Sequence, residues 1–401
     1  MPETNDAMLQ TALDLLSAGR HPDAIAVLQQ AVRLSPQSAA AFRALAEAHL
    51  GCGDLEEARR CCQRSTTLDP SFERAFYLLG VICAHAGDVD DSTAAFERAI
   101  ELRPKYFDAL RGLAAVAGRS GQLARALECY RELIVAGIDH SELLLEFAET
   151  AERHGDLDDA ITARKILFKR EPDNLENCFN LSSLTGKDPP PATPATMVTQ
   201  TFDDYAETFE THLGALQYSG PELLYRAVDR CESRNDLQIL DLGCGTGLCG
   251  RPFRPMAQRL VGVDLSTRML EKAKVKNVYD ELHCADVLDF LSRQAQYDLI
   301  LAADVLIYFG DLLPVFSAAR GRIKDGGHFA FTIECSNSDD VVVSRNHRYL
   351  HSPNYVRRVI VEAGWQIVAF DECAFRQEQH KDLAGIVAVV SPDEGRDRDS
   401  V

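Results

Sequence analysis

Two hydrophobic rhythms divide this chain of 401 residues. In the first half, apolar and small residues recur at helical spacing in units of 34. Gly19, Gly53, Gly87, Gly121 and Gly155 keep that interval, as do Pro36, Pro70, Pro104 and Pro172, with Ile138 in the vacant slot. Ala24, Ala58, Ser92, Ala126 and Ala160 repeat it with small side chains. Each glycine lets the chain turn between two helices, each small residue lets those helices approach closely, and each proline stops the second helix. Such a chain is expected to stack helix pairs into an α-solenoid over residues 1–184, with Asn174–Leu184 as a capping helix.

The second half alternates short apolar runs with helical text. Ile239-Leu240-Asp241-Leu242 is a strand ending beside a carboxylate, followed by Gly243, Gly245 and Gly247. Leu260 to Val263 ends at Asp264, Leu282 to Ala285 at Asp286, and Tyr297 to Ala303 at Asp304. Gly327 to Ile333, Trp365 to Phe370 and Gly385 to Val390 read as three further strands. This alternation predicts a parallel sheet, and such a sheet binds ligands outside the carboxyl ends of its strands. One aspartate there is most simply a helix N-cap. Four in series point to a ligand site. A dinucleotide fingerprint needs glycine where Leu248 stands, which argues against a dehydrogenase.

The 34-residue unit, with its bulky position at Leu28, Cys62, Phe96 and Tyr130, resembles the tetratricopeptide repeat. Arg164 breaks that position in the fifth unit and reads as terminal drift toward a polar outer face. Tyr77 and Arg111 hold equivalent places in two first helices, where the resemblance implies a concave groove. Asp241 with the G-x-G-x-G loop resembles motif I of class I S-adenosylmethionine-dependent methyltransferases, and the likeness covers roughly residues 200–391. It implies a Rossmann-like seven-stranded domain whose last strand is inserted antiparallel beside the sixth. It also implies that Asp241, Gly243, Cys244, Gly245 and Gly247 hold the amino-acid part of S-adenosylmethionine. Asp264 and Leu265 would take the ribose, Asp286 and Val287 the adenine amine, while Ala303 and Asp304 would flank the methyl group. Met269 is a candidate to lie against the adenine.

Two further segments resemble bacterial methyltransferases that carry such repeats. In the F-D-x-Y-A-like stretch from Phe202, the resemblance implies that the Tyr205 hydroxyl points toward the cofactor carboxylate. The helical spacing of Phe202, Tyr205, Phe209 and Leu213 equally suits plain packing. In the R-Y-x-H-S-like stretch, His351 is a candidate general base or orienting group. It joins Asp304 and Tyr308 as the catalytic candidates. Arg348, Tyr355 and Arg376 are the substrate candidates; the arginines either hold an acidic group or pair with Glu378 and Asp371.

Composition narrows the partners. The net charge of −19 divides into −10 over residues 1–184 and −9 over the remainder. An evenly acidic chain suits neither nucleic acid nor anionic membranes. No apolar run approaches the length of a membrane span, and the 12 cysteines show no metal-ligand spacing, which fits a reducing cytoplasm. Residues 185–197 hold four prolines in six positions and read as a semi-rigid spacer. A methyltransferase domain is then expected over 198–391, with 196–401 able to fold alone, and a frayed tail over 392–401. The expected activity is methyl transfer to an acceptor, a protein by preference, recruited through the solenoid. The alternatives are a small-molecule methyltransferase with the repeats as adaptor, and a non-catalytic cofactor-binding scaffold.

Overall fold

The computed structural model describes residues 2–336, 338, 341–378 and 381–393. It divides into two compact units, Met1–Leu167 and Phe168–Val401.

The first unit is built from helix pairs: α1 (Pro2–Ser17) with α2 (His21–Leu34), α3 (Ala39–Gly51) with α4 (Leu55–Leu68), and α5 (Glu73–Ala86) with α6 (Val89–Leu102). Two more follow, α7 (Phe107–Arg119) with α8 (Leu123–Val135), and α9 (Ser141–His154) with α10 (Leu157–Arg170). The five periodic glycines sit between the members of each pair, all with φ between 70° and 89°, a region that side chains resist. Ala24, Ala58, Ser92, Ala126 and Ala160 are fully buried where the helices meet. Arg164 departs from expectation: it is buried, not outward, and is ion-paired with Glu152. Arg111 is likewise paired, with Glu142 and Glu146, and the Tyr77 ring packs at a tilt against Phe96 and Tyr106.

The second unit opens with α11 (Leu175–Thr185), α12 (Ala195–Tyr205), α13 (Phe209–Ala215) and α14 (Gly220–Asp229). There follow β1 (Leu237–Leu242), α15 (Gly250–Phe253), β2 (Ala257–Asp264), α16 (Thr267–Val275), β3 (Glu281–Cys284), α17 (Val287–Leu291) and β4 (Tyr297–Ala302). The chain ends through α18 (Leu313–Arg320), β5 (Ile323–Glu334), the short β6 (Val342–Val343) and β7 (Tyr349–Leu350), α19 (Pro353–Glu362), β8 (Trp365–Glu378) and β9 (Lys381–Pro392). The main sheet runs β3-β2-β1-β4-β5-β9-β8, parallel up to β5, with β9 antiparallel to both its neighbours. This is the expected seven-stranded order. Successive residues of a strand face opposite sides. Leu240, Leu242, Val261, Val263 and Ile300 therefore enter one core with Phe316 and Trp365, while Ile239, Leu260, Leu299 and Leu301 enter the other with Leu224 and Phe253. Burial on both faces is why these strands read as unbroken apolar runs.

Helix α11 and the proline segment differ from expectation. The helix expected to cap the solenoid belongs to the second unit, where the fully buried Phe179 packs on Val343 and Tyr349. The expected spacer is stitched down. Tyr349 donates to the Pro190 carbonyl at 2.6 Å, and Gly310 and Asp311 donate backbone N–H groups to Pro191. Thr193 in turn donates to the Tyr308 carbonyl, and α12 begins at Ala195. Prolines lack a donor but keep their carbonyls, and the carbonyls of an extended run are free to accept. Of the stretch upstream of Arg348, Asp339 and Asp340 lie outside the described residues, and Val342–Val343 pairs with Tyr349–Leu350.

Candidate active site

The site begins where β1 runs out. Gly243, Gly245 and Gly247 all have positive φ (59°, 52° and 86°), so the loop turns through conformations other residues resist. Space reinforces this. A Cβ on Gly243 would lie 2.3 Å from Val305 Cγ2, and one on Gly247 would lie 2.9 Å from the Tyr279 ring. At Gly245 it would meet nothing nearer than Phe209 at 4.0 Å, so the bare main chain there faces open space. The Cys244 N–H donates to the Val263 carbonyl and fastens the loop to β2.

Two carboxylates bracket the loop. Asp241 is buried and accepts from the Tyr279 hydroxyl at 2.6 Å. Burial pushes its carboxyl up to about 7, against the Tyr279 hydrogen bond and with help from the nearby Asp264 charge. Asp264, at the end of β2, accepts the Gly245 N–H on one oxygen and the Ser266 N–H on the other, both at 2.8 Å. Burial raises its carboxyl too. Asp286 is the N-cap of α17, with Oδ1 accepting from Leu288 and Asp289.

These residues open on a cavity of about 580 Å³. Asp241, Gly243, Cys244, Gly245, Asp264, Leu265, Asp286 and Val287 line one part of it. Ala303, Asp304, Tyr308 and Arg348 line another, and α12 and α13 supply a wall through Phe202, Tyr205, Phe209 and His212. That wall is an aromatic cluster. Phe202 meets Phe209 and Tyr308 edge to face at 6.0 and 5.7 Å, and Tyr205 meets Phe209 at 5.5 Å. Asp304 sits in the left-handed region at φ 61°, held by its N–H donating to the buried Thr332 hydroxyl at 2.8 Å. Arg348 pairs with the buried Glu334 at 3.0 Å.

A methyltransferase-domain family model matches residues 240–329, and tetratricopeptide-repeat models match residues 15–82, 86–141 and 111–174. The chain carries a methyltransferase domain preceded by tetratricopeptide repeats. Among curated proteins it is similar to the malonyl-[acyl-carrier protein] O-methyltransferase of Salmonella typhimurium, 28% identical over 137 residues, which are 34% of this chain and 53% of that one. It is also similar to the ubiquinone biosynthesis O-methyltransferase of Nitrobacter winogradskyi, 31% identical over 98 residues, 23% of this chain and 37% of that one. The chain thus spans about half the length of the first relative and less of the second. Among solved structures, the N-methyltransferase NodS from Bradyrhizobium japonicum in complex with S-adenosyl-L-homocysteine is 18% identical, with a TM-score of 0.41, covering 49% of this chain and 99% of that one.

Several candidate residues of the methyltransferase domain fall away from the cavity. Met269 is fully buried in α16, where its N–H donates to Ser266, and it does not line the cavity. Gly247 packs against Tyr279 and does not line the cavity. His351 is fully buried with Nε2 bonded to the Phe309 carbonyl at 2.9 Å, and burial lowers its pKa to about 4. It is neutral at physiological pH and shapes the Phe309 turn instead of facing an acceptor. Tyr355 stacks on His351 and bonds Leu312 and Gly310, again outside the lining. Arg376 lies on β8, with its side chain outside the described residues. Sequence reasoning passed over Tyr279, Tyr218, Thr332 and Glu334. Tyr218 lies at the end of the aromatic segment and could have been weighed; the others carry no local signal, because only the fold brings Tyr279 to Asp241, Thr332 to Asp304 and Glu334 to Arg348.

Proposed function

We propose that this chain catalyses methyl transfer from S-adenosylmethionine. One observation carries the reading: a glycine loop with its main chain bare at Gly245, bracketed by the buried Asp241 and the half-buried Asp264, opening directly on the cavity. A bare backbone suits close approach of an amino-acid moiety, and a carboxylate with oxygens facing the cavity suits a diol. The donor set therefore fits the cofactor. Asp264 with Leu265 would hold the ribose, Asp286 Oδ2 and Val287 the base, and Gly243 to Gly245 with Tyr205 the amino-acid end.

When bound, the sulfonium of the cofactor supplies an activated methyl group and its own leaving group. The protein's part is to align the acceptor and exclude water. The aromatic wall of α12 and α13 excludes water, and Asp304, Tyr308 and Arg348 present polar groups to the acceptor. The tetratricopeptide repeats support recruitment of a protein, or of a group carried on one, as acceptor.

Titration calorimetry on the full chain tests the reading. S-adenosylmethionine and S-adenosylhomocysteine are expected to bind and NAD is not. Incubation of a cell extract with methyl-labelled cofactor is expected to place label in the protein fraction. Label in small molecules alone would make the repeats an adaptor, and no cofactor binding would reject the reading.

A further inference from the structure

The far end of the cavity holds a charge arrangement that restricts what can be methylated. Arg348 is the one lysine or arginine among the described lining residues, against four aspartates. Its guanidinium is already matched by Glu334, which is 4% exposed and 3.0 Å away. Arg348 also hydrogen-bonds the Tyr308 hydroxyl. Asp304 adds a second negative charge to this one positive group. Burial foremost, and Asp304 next, hold the Tyr218 hydroxyl firmly protonated. Phe202, Phe209, Leu213 and Leu216 form the apolar part of that lining, and Tyr205, His212, Asn346 and His347 add polar side chains to it. An anion entering here meets carboxylates in excess over the one guanidinium, which already holds a carboxylate partner, and desolvating it there is costly.

We infer that the methyl acceptor enters without negative charge and carries a proton on nitrogen or oxygen, as an amine or hydroxyl on an apolar body, and that Arg348 is a positioning residue for Tyr308. The inference rests on the methyl-transfer reading above. The lone pair of a hydroxyl or free amine would form the bond to the methyl carbon as the carbon–sulfur bond breaks with its electron pair remaining on sulfur, and the acceptor's surplus proton would pass to the Asp304 carboxylate and then to solvent; an acceptor arriving as an ammonium first gives one proton to solvent. Thr332 fixes the strained Asp304 backbone so that its carboxylate stays at the wall.

Ligand-observed NMR on the full chain loaded with S-adenosylhomocysteine tests this with benzyl alcohol, benzylamine and benzoate. The alcohol and the amine are expected to bind, with benzoate at least about tenfold weaker. Glu334→Gln, which unmasks Arg348, is expected to strengthen benzoate binding about tenfold, and Arg348→Met is not. Benzoate binding as well as the alcohol in the unaltered chain overturns the inference, as does failure of all three probes. If S-adenosylhomocysteine itself does not bind, the methyl-transfer reading falls instead. A measurement that needs no variant uses label transferred from methyl-labelled cofactor to the acceptor in cell extract. Amine and ether methyl groups resist mild base, whereas label released as methanol would mean a carboxylate acceptor and would overturn the inference.

Discussion

Asp264 does two jobs with four lone-pair sites. Two are taken by the Gly245 and Ser266 N–H groups, which leaves the others for a ligand. Asp264→Ala removes both kinds of bond and is expected to weaken S-adenosylhomocysteine binding by about 1.5–3 kcal/mol, with Asp264→Asn losing less. Unchanged affinity of the alanine variant by calorimetry would reject the ribose assignment. Asp241 gives a pH signature. Its carboxyl titrates near 7 in the fold and near 4 when unfolded, so between those values the native state holds the extra proton. Stability from this group is therefore full below about 4, falls by on the order of 1 kcal/mol per pH unit as pH rises toward 7, and is level above. Asp241→Asn is expected to flatten that slope in urea melts between pH 4.5 and 7; an equally steep slope in both proteins would assign it elsewhere. The acids were legible in sequence because each stands where an unbroken apolar run stops. Met269, His351 and Tyr355 were not. Whether such a side chain faces a cavity or a core depends on packing partners far along the chain, and motif spacing carries no information about those. Asp286 shows both readings at once, since Oδ1 caps α17 while the residue still lines the cavity.

At the level of elements, α12 and α13 are tied across α16 by a row of polar contacts. Asp203 accepts from Ser266, Glu207 pairs with Lys272 at 2.6 Å, and Glu210 pairs with Lys276 at 2.6 Å. Asp203, Glu207 and Glu210 advance along the α12–α13 segment as Ser266, Lys272 and Lys276 advance along α16 and its two ends, so the row acts as one strap. Exposed pairs of this kind add little to global stability, but each must part if the aromatic wall swings away. Lys272→Glu is expected to speed release of S-adenosylhomocysteine in stopped-flow experiments, and added Glu207→Lys to slow it again. A release rate indifferent to both changes would mean that the wall does not move during exchange. The strands followed from apolar runs, the first four ending at acids, and the antiparallel last strand from the resemblance to class I methyltransferases. The β6–β7 hairpin did not: two-residue strands have no readable period, and this pair is held by Phe179 from outside its own sequence.

For the whole molecule, the repeats were the most legible part, because the same demand for a turn, a close approach and a stop recurs every 34 residues. The boundary after them was misread for a physical reason. Proline-rich text signals an extended backbone, and an extended backbone can span solvent or lie along a sheet edge; composition does not distinguish the two. In the second unit it lies down, and Pro190 and Pro191 accept hydrogen bonds from Tyr349, Gly310 and Asp311, beside the segment that carries Tyr308. Phe179 closes the same patch from α11. A fragment of residues 196–401 would therefore lose the support behind Tyr308 and the hairpin that contains Arg348, whereas 168–401 keeps it. The longer fragment is expected to melt cooperatively and bind S-adenosylhomocysteine like the full chain. The shorter one is expected to melt lower and bind more weakly. Phe179→Ala in the longer fragment should cost about 3–5 kcal/mol, the usual loss for emptying a buried phenylalanine site, and should bring its melting temperature toward that of the shorter one. Equal melting temperatures and affinities for the two fragments would show that α11 and the proline segment are dispensable to the domain, and would return the boundary to residue 196.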